Sequence, residues 1–435
     1  MRSVTTIPAL IVVLFLGYVF YTPIPEDLAD PMHFRLIVAG LESAAVLCNV
    51  WSIFQPLENF YVQFHRFAME LPMPAPDLPV PGSNVTARYT DFAGVRVLLY
   101  EPLRSSDEIL PGFVYFHGGG YAIGSARGQG PFTRLLAEEL HVVLVSVDYR
   151  LAPEHVFPAA FDDALAATKY FLKHAADYGV DPSRVTVGGD SAGGHLAAGV
   201  AQHVFDDPTV PNFKLQILFY PWIQFLDCNT PSLQFYEHTF GKRGMSKPRL
   251  AEFISGYYLG NLDSEFLHHL ETNRHTSAAF KRSSNYKKFL NHSIIFTKLE
   301  EASLQLGLGS STSSSLPSLS SQAFREYYKP QEHFAEGNDT MWEEIQEAFL
   351  DPRNLPLFRD DFRGLPKAFI ATGERDHIRD DGIFYAHALE QGGVEVIWKH
   401  YPGAWHGIAA FASIADVPTG AKMLGDGLRF FKENI

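Results

Sequence analysis

The sequence predicts an α/β fold in which a mostly parallel central sheet is flanked by helices, with a helical cap and an N-terminal transmembrane helix. Three observations carry that expectation. Short β-branched runs alternate with longer segments of helical period, two glycine-rich turns each follow one of those runs, and the alternation lapses over one long internal stretch.

The first element is an almost unbroken apolar run from Ile7 to Tyr21, preceded by Arg2 and followed by Pro23, Pro25 and the acids Glu26, Asp27 and Asp30. A cleavable leader would begin the same way, but no small-x-small cleavage site follows, which favours an uncleaved signal anchor over residues 1–24. Positive charge before the run and none after it until Arg35 places the N-terminus in the cytosol and the rest across the membrane. Sequons at Asn84, Asn291 and Asn338 agree with that topology as N-glycosylation candidates. The terminal Lys432-Glu433-Asn434-Ile435 is no lumenal retrieval signal.

Residues 25–80 mix apolar and scattered polar positions, as amphipathic helices do, and end in a proline-rich connector from Leu71 to Pro81. The first part of the core, 81–226, then supplies strands at Phe113 to Phe116, Val142 to Val147, Val185 to Val187 and Lys214 to Phe219. Helical spacing marks Phe161 to His174 and the small-residue stretch Ala192 to Val204. From 227 to 349 the rhythm lapses in a segment rich in His, Phe, Tyr and Ser, which suits a cap inserted between two strands; within it, 304–321 is a low-complexity serine run. The second part of the core, 350–435, adds strands at Ala368 to Ile370 and Val394 to Trp398 and a closing helix near Lys422 to Lys432.

Composition narrows the function. With 46% of its 435 residues hydrophobic the chain buries a large core, and a net charge of -14 without a basic stripe argues against a nucleic-acid partner. The pairs Lys281-Arg282 and Lys287-Lys288 read as a solvated loop. Two cysteines, Cys48 and Cys228, form one disulfide or remain two thiols, and neither has metal-ligand spacing. No metal, cofactor or obligate protein partner is implied.

The chemistry concentrates in Gly189-Asp190-Ser191-Ala192-Gly193, which lies between a strand and a helix, where a nucleophile elbow exposes its serine on a strained turn. Upstream, His117-Gly118-Gly119-Gly120 follows another strand; consecutive glycines present backbone N–H groups to a developing oxyanion, so Gly118 and Gly119 join the Ala192 amide as expected donors. Serine needs a general base, and the base needs an acid to hold its tautomer. Asp376 stands at the end of the strand Ala368 to Ile370, with Glu374, Asp380 and Asp381 as rivals; the last two read better as helix caps. His406 lies in the loop Tyr401 to Gly407, whereas its rival His400 continues a strand.

Together with Tyr149-Arg150-Leu151-Ala152-Pro153 and Arg379-Asp380-Asp381-Gly382, these motifs resemble the hormone-sensitive-lipase group of α/β-hydrolases, and within it the arylacetamide deacetylase-like proteins. The resemblance covers about Val85 to Leu226 and Asp351 onward, as well as the N-terminal run with Tyr21-Thr22-Pro23-Ile24-Pro25. It implies an α/β-hydrolase fold, Ser191 as nucleophile, Asp376 as acid, His406 as base and His117 to Gly120 as the oxyanion loop. A single-pass type II protein of the endoplasmic reticulum membrane, with a lumenal catalytic domain capped by the N-terminal helices and the insertion, is also implied. Tyr121-Ala122-Ile123 departs from the group, whose members often carry a cysteine there.

The expected activity is hydrolysis of hydrophobic carboxylic esters, with aryl amides open to the same mechanism. A silent binding protein and an acyltransferase are the alternatives. Trp222, Phe225, Phe235, Phe240, Phe253, Tyr257 and Tyr258 would line an apolar acyl pocket or serve equally as core.

Overall fold

The computed structural model describes residues 23–52, 80–105, 107–260, 262–305 and 336–435, and the isolated positions 13, 16, 17, 21, 62, 63, 65–67 and 328. Most of the apolar run 7–21 and of the serine run 304–321 lies outside the described residues, as do residues 71–79 of the connector. Among the described residues, no helix is long and apolar enough to cross a membrane.

After helix α1 (Pro31–Ser52), eight strands form one sheet: β1 (Val85–Phe92), β2 (Val95–Pro102), β3 (Leu110–Phe116), β4 (Val143–Val147), β5 (Val180–Asp190), β6 (Leu215–Phe219), β7 (Lys367–Gly373) and β8 (Val396–Tyr401). Their order across the sheet is β1-β2-β4-β3-β5-β6-β7-β8. β1 and β2 form an antiparallel hairpin, β2 meets β4 antiparallel, and the remaining neighbours are parallel. The central strands read as continuous apolar runs because helices cover both faces: every residue of β3, β4 and β6 is buried.

Three helices that follow in the first part of the chain and the last two long ones provide that cover. They are α2 (Gly130–Leu140), α3 (Ala159–Lys173) and α4 (Ala192–Phe205), followed much later by α12 (Arg379–Gln391) and α14 (Pro418–Asn434). The core is split by the sheet into one cluster centred on Val114, Val145, Val187 and Leu196 and another on Phe113, Leu144, Phe369 and Trp405. Between β6 and β7 the described chain is helical: α5 (Pro231–Phe240), α6 (Lys247–Leu259), α7 (Ser264–Glu271), α8 (Ala278–Lys281), α9 (Ser284–Phe289), α10 (His292–Gln305) and α11 (Asp339–Phe349).

Several sequence expectations change. The β1–β2 hairpin was not anticipated; it turns on Ala93 and Gly94, with φ of +55° and +85°, the backbone that a tight two-residue hairpin requires. Lys281 is not solvated but buried, its ammonium bonded to the Asn273 carbonyl. Cys228 is a free, buried thiol. The aromatics expected at an acyl pocket pack, among the described residues, in several places. Phe225, Tyr257 and Tyr258 cluster with Trp222 and Tyr121 as core, Phe240 packs on Phe34 of α1, and Phe235 lies under Arg375. Asn84 and Asn291 are exposed, whereas Asn338 caps α11 by accepting from Met341 N–H while its amide nitrogen meets His269. A glycan on Asn338 would be carried by the amide nitrogen that meets His269 and would leave the capping oxygen in place.

Candidate active site

Ser191 sits between β5 and α4 with φ +55°, a left-handed backbone that costs a non-glycine residue about 1 kcal/mol or more. The strain is held sterically. A Cβ on Gly193 would fall 2.0 Å from the Phe116 carbonyl oxygen, and one on Gly189 would fall 2.3 Å from that of Gly193. Backbone bonds finish the turn: Ser191 N–H donates to Phe219 O at 3.0 Å, and Ser191 O accepts from Trp222 N–H at 3.1 Å.

His406 arrives from the loop after β8. Its Nε2 lies 2.9 Å from Ser191 Oγ and its Nδ1 2.9 Å from Asp376 Oδ2. Asp376 follows β7, is buried, and accepts the Ile378 N–H on its other oxygen at 2.9 Å. Burial works to raise the Asp376 pKa, but the facing His406 imidazole and the donors around it prevail and hold it below the usual carboxylate range. The edge of the His406 ring meets Tyr220, with centroids 5.0 Å apart. Beside it His377 is buried, and burial with the neighbouring His406 pushes its pKa down to about 3, so it stays neutral. Asp376, His377 and His406 bring three potential metal-ligand atoms within 4.8 Å, but the hydrogen bond between Asp376 and His406 already occupies two of them.

The rivals have other partners. His400 lies in β8 with Nδ1 3.1 Å from Thr372 Oγ1, and Glu374 accepts the Gly403 N–H at 2.7 Å. Asp380 and Asp381 do not cap the helix they begin. Asp381 accepts the N–H groups of Ile223 and Gln224, and Asp380 that of Ser232, so both tie α12 to the chain leaving β6.

The glycine loop needs one correction. The Gly118 N–H points inward and donates to Asp190 Oδ1 at 2.9 Å, so it does not face a substrate. Asp190 also accepts the Tyr115 hydroxyl at 2.7 Å; burial pushes its carboxyl up while these donors oppose the shift. His117 stacks on Tyr149, whose hydroxyl donates to the His117 carbonyl at 2.6 Å. Gly119 and Gly120 both have positive φ, +118° and +58°, and a Cβ on Gly119 would fall 2.1 Å from Ile123 O. Ala192 is the first residue of α4, so its N–H has no acceptor within the helix.

Sequence reasoning missed the N-terminal contacts. Arg66 donates to the carbonyl of Ala122, just after the glycine loop, and to that of Ala152, and pairs with Glu154. Residues 27–29 meet the loop that carries His406. The bonds to backbone carbonyls have no residue-type signature, so only the charges Arg66 and Asp27 could have hinted at them.

A family model described as the alpha/beta hydrolase fold matches residues 113–284 and 309–410. A neutral cholesterol ester hydrolase 1 from Bos taurus is 34% identical over 412 residues, covering 91% of this chain and 91% of its own length. An arylacetamide deacetylase from Oryctolagus cuniculus is 32% identical over 446 residues and is covered, like this chain, to 100%. Among solved structures, a hyperthermophilic esterase from the archaeon Pyrobaculum calidifontis is 27% identical with a TM-score of 0.55, over 89% of this chain and 97% of that one.

Proposed function

The chain belongs to the α/β-hydrolase fold family and is a serine carboxylic-ester hydrolase; from that premise we propose that Ser191, His406 and Asp376 perform the chemistry on esters of hydrophobic acyl groups. The observation that carries the assignment is the unbroken line of hydrogen bonds from Asp376 through His406 to Ser191 Oγ, each 2.9 Å.

In this reading Ser191 Oγ attacks the ester carbonyl while its proton passes to His406 Nε2, and Asp376 stabilises the imidazolium through Nδ1–H. The oxyanion is met by the Ala192 N–H and by Gly119 and Gly120, one residue further along the loop than the sequence suggests, because Gly118 is committed to Asp190. His406 then returns the proton to the leaving alcohol, giving an acyl-enzyme. Water, deprotonated by the same imidazole, adds to the acyl carbon and releases the acid. An aryl amide would follow the same path with an amine leaving.

The lipophilic substrate class rests on the names of the relatives, a cholesterol ester hydrolase and an arylacetamide deacetylase. The apolar run 7–21 and its flanking charges support a membrane anchor with the catalytic domain on the far side. The resemblance to arylacetamide deacetylase-like proteins points to the endoplasmic reticulum, and Asn84, Asn291 and Asn338 are then the candidate glycan acceptors, the first two of them exposed.

A fluorophosphonate probe tests the nucleophile: the full chain is expected to label, and Ser191→Ala to lose both label and ester hydrolysis. Labelling that persists in the variant would reassign the serine. A parallel screen of short acyl, monoacylglycerol, sterol and aryl amide substrates fixes the acyl preference.

A further inference from the structure

The loop that presents His406 has little regular structure of its own. From Pro402 to Gly407 it runs between β8 and the single-turn helix α13 (Ile408–Phe411). Its inner side is held by the core: Glu374 accepts the Gly403 N–H at 2.7 Å, and Arg375 N–H donates to Ala404 O at 2.8 Å. Its outer side is held by residues that come almost four hundred positions earlier in the chain.

Ala29 N–H donates to Gly403 O at 2.9 Å, and Trp405 Nε1–H donates back to Ala29 O at 3.0 Å. The two backbones are so close that a Cβ on Gly403, where φ is +67°, would fall 2.3 Å from Asp27 O. Asp27 also forms an ion pair with Arg375, with side chains only 16% and 8% exposed. Arg375 directly precedes Asp376, and Trp405 directly precedes His406. The N-terminal segment thus grips the neighbour of the acid and the neighbour of the base. Phe34 of α1 completes the grip, its ring 5.9 Å from that of Trp405.

We propose that residues 27–29 are a positioning element for His406, with Asp27, Arg375 and Trp405 as positioning residues that hold the imidazole in line between Asp376 and Ser191. The proposal rests on the reading of His406 as general base. Polar staples of this kind fix an angle rather than a volume, so loosening them misaligns the proton transfer while leaving substrate binding in place. The segment that follows the apolar N-terminal run is then part of the catalytic apparatus.

The test uses the full chain and a short, soluble ester. Asp27→Ala removes the ion pair, and Trp405→Phe keeps an aromatic ring, though a smaller one, but removes the N–H that reaches Ala29. Each is expected to lower kcat about tenfold with KM unchanged and to slow fluorophosphonate labelling in proportion. Asp27→Glu is expected to recover most of the rate. Arg88→Ala, which breaks a surface pair with Glu101 on the β1–β2 hairpin, serves as a control with unchanged kcat. A kcat within twofold of the parent in both variants would overturn the proposal. So would a loss confined to KM, or one accounted for by a smaller active fraction on active-site titration. His406→Ala in the same assay separates the two readings, because full activity there would remove the base assignment itself whatever Asp27 does.

Discussion

Ser191 and His406 meet at 2.9 Å, yet the chain holds them by different means. The serine turn is fixed by shape: glycines on both sides leave no room for a side chain, and the backbones of β3, β5 and α4 close around it. The histidine loop is fixed by polarity, through Glu374, Arg375, Asp27, Ala29 and the indole N–H of Trp405. Steric confinement tolerates almost no substitution, and the glycines it requires stand within two residues of Ser191. Polar staples are each worth about 1 kcal/mol and draw their partners from anywhere in the chain.

That contrast is tested most severely on the polar side. Asp376→Asn keeps the size of the side chain but removes the charge that sets the His406 tautomer, so kcat should fall on the order of 10³–10⁴-fold in steady-state ester hydrolysis while the thermal midpoint stays near that of the parent. On the steric side, Gly193→Ala places a methyl group 2.0 Å from Phe116 O. Its cost should appear in folding first, as a loss of roughly 3–5 kcal/mol measured by denaturant unfolding. A folded Gly193→Ala protein with only reduced kcat would show that the turn is looser than its contacts imply.

The smallest expected effect concerns pH. His377 and His400 flank the polar side, and burial holds the pKa of each near 3 instead of 6.5. On the other side, His195 of α4 is held near 4 by the same cause. Below pH 6.5 the unfolded chain takes up protons that the native one refuses, so stability present above that pH is lost as pH falls toward these values. Each histidine should cost roughly 1 kcal/mol by pH 5.5. Thermal midpoints measured from pH 7.5 to 5.5 should therefore decline, and His400→Phe should flatten the decline. A midpoint constant across that range would mean that these imidazoles take up protons in the native state.

The same contrast explains what was legible in the sequence. The elbow around Ser191 and the glycine run after His117 could be read directly, because steric constraints leave glycines at fixed short spacings. The direction of the Gly118 amide could not, since it depends on Asp190, 72 positions along. Asp380 and Asp381 resembled caps because an acid at a helix start looks the same whether it serves its own helix or a distant loop. The core strands and helices that periodicity marked agree with the structure to within a few residues, but helix α2 (Gly130–Leu140) was not read, nor was the β1–β2 hairpin, whose Ala93-Gly94 turn is a weaker marker than Asn-Gly or Asp-Gly. The insertion was readable as a break in rhythm but not as an arrangement, because its aromatics pack in several directions.

The insertion between β6 and β7 also has a consequence for when the enzyme comes to life. Leu215 and Lys367 are register partners in adjacent strands, so the chain closes a loop of about 150 residues to pair them. The entropy of that closure grows only with the logarithm of length, with a doubling costing about 0.6 kcal/mol, whereas long-range pairing slows folding. Ser191 precedes His406 by 215 positions. During synthesis the nucleophile is therefore made before its acid and its base and stays inert until β7, β8 and the loop that carries His406 have joined the sheet.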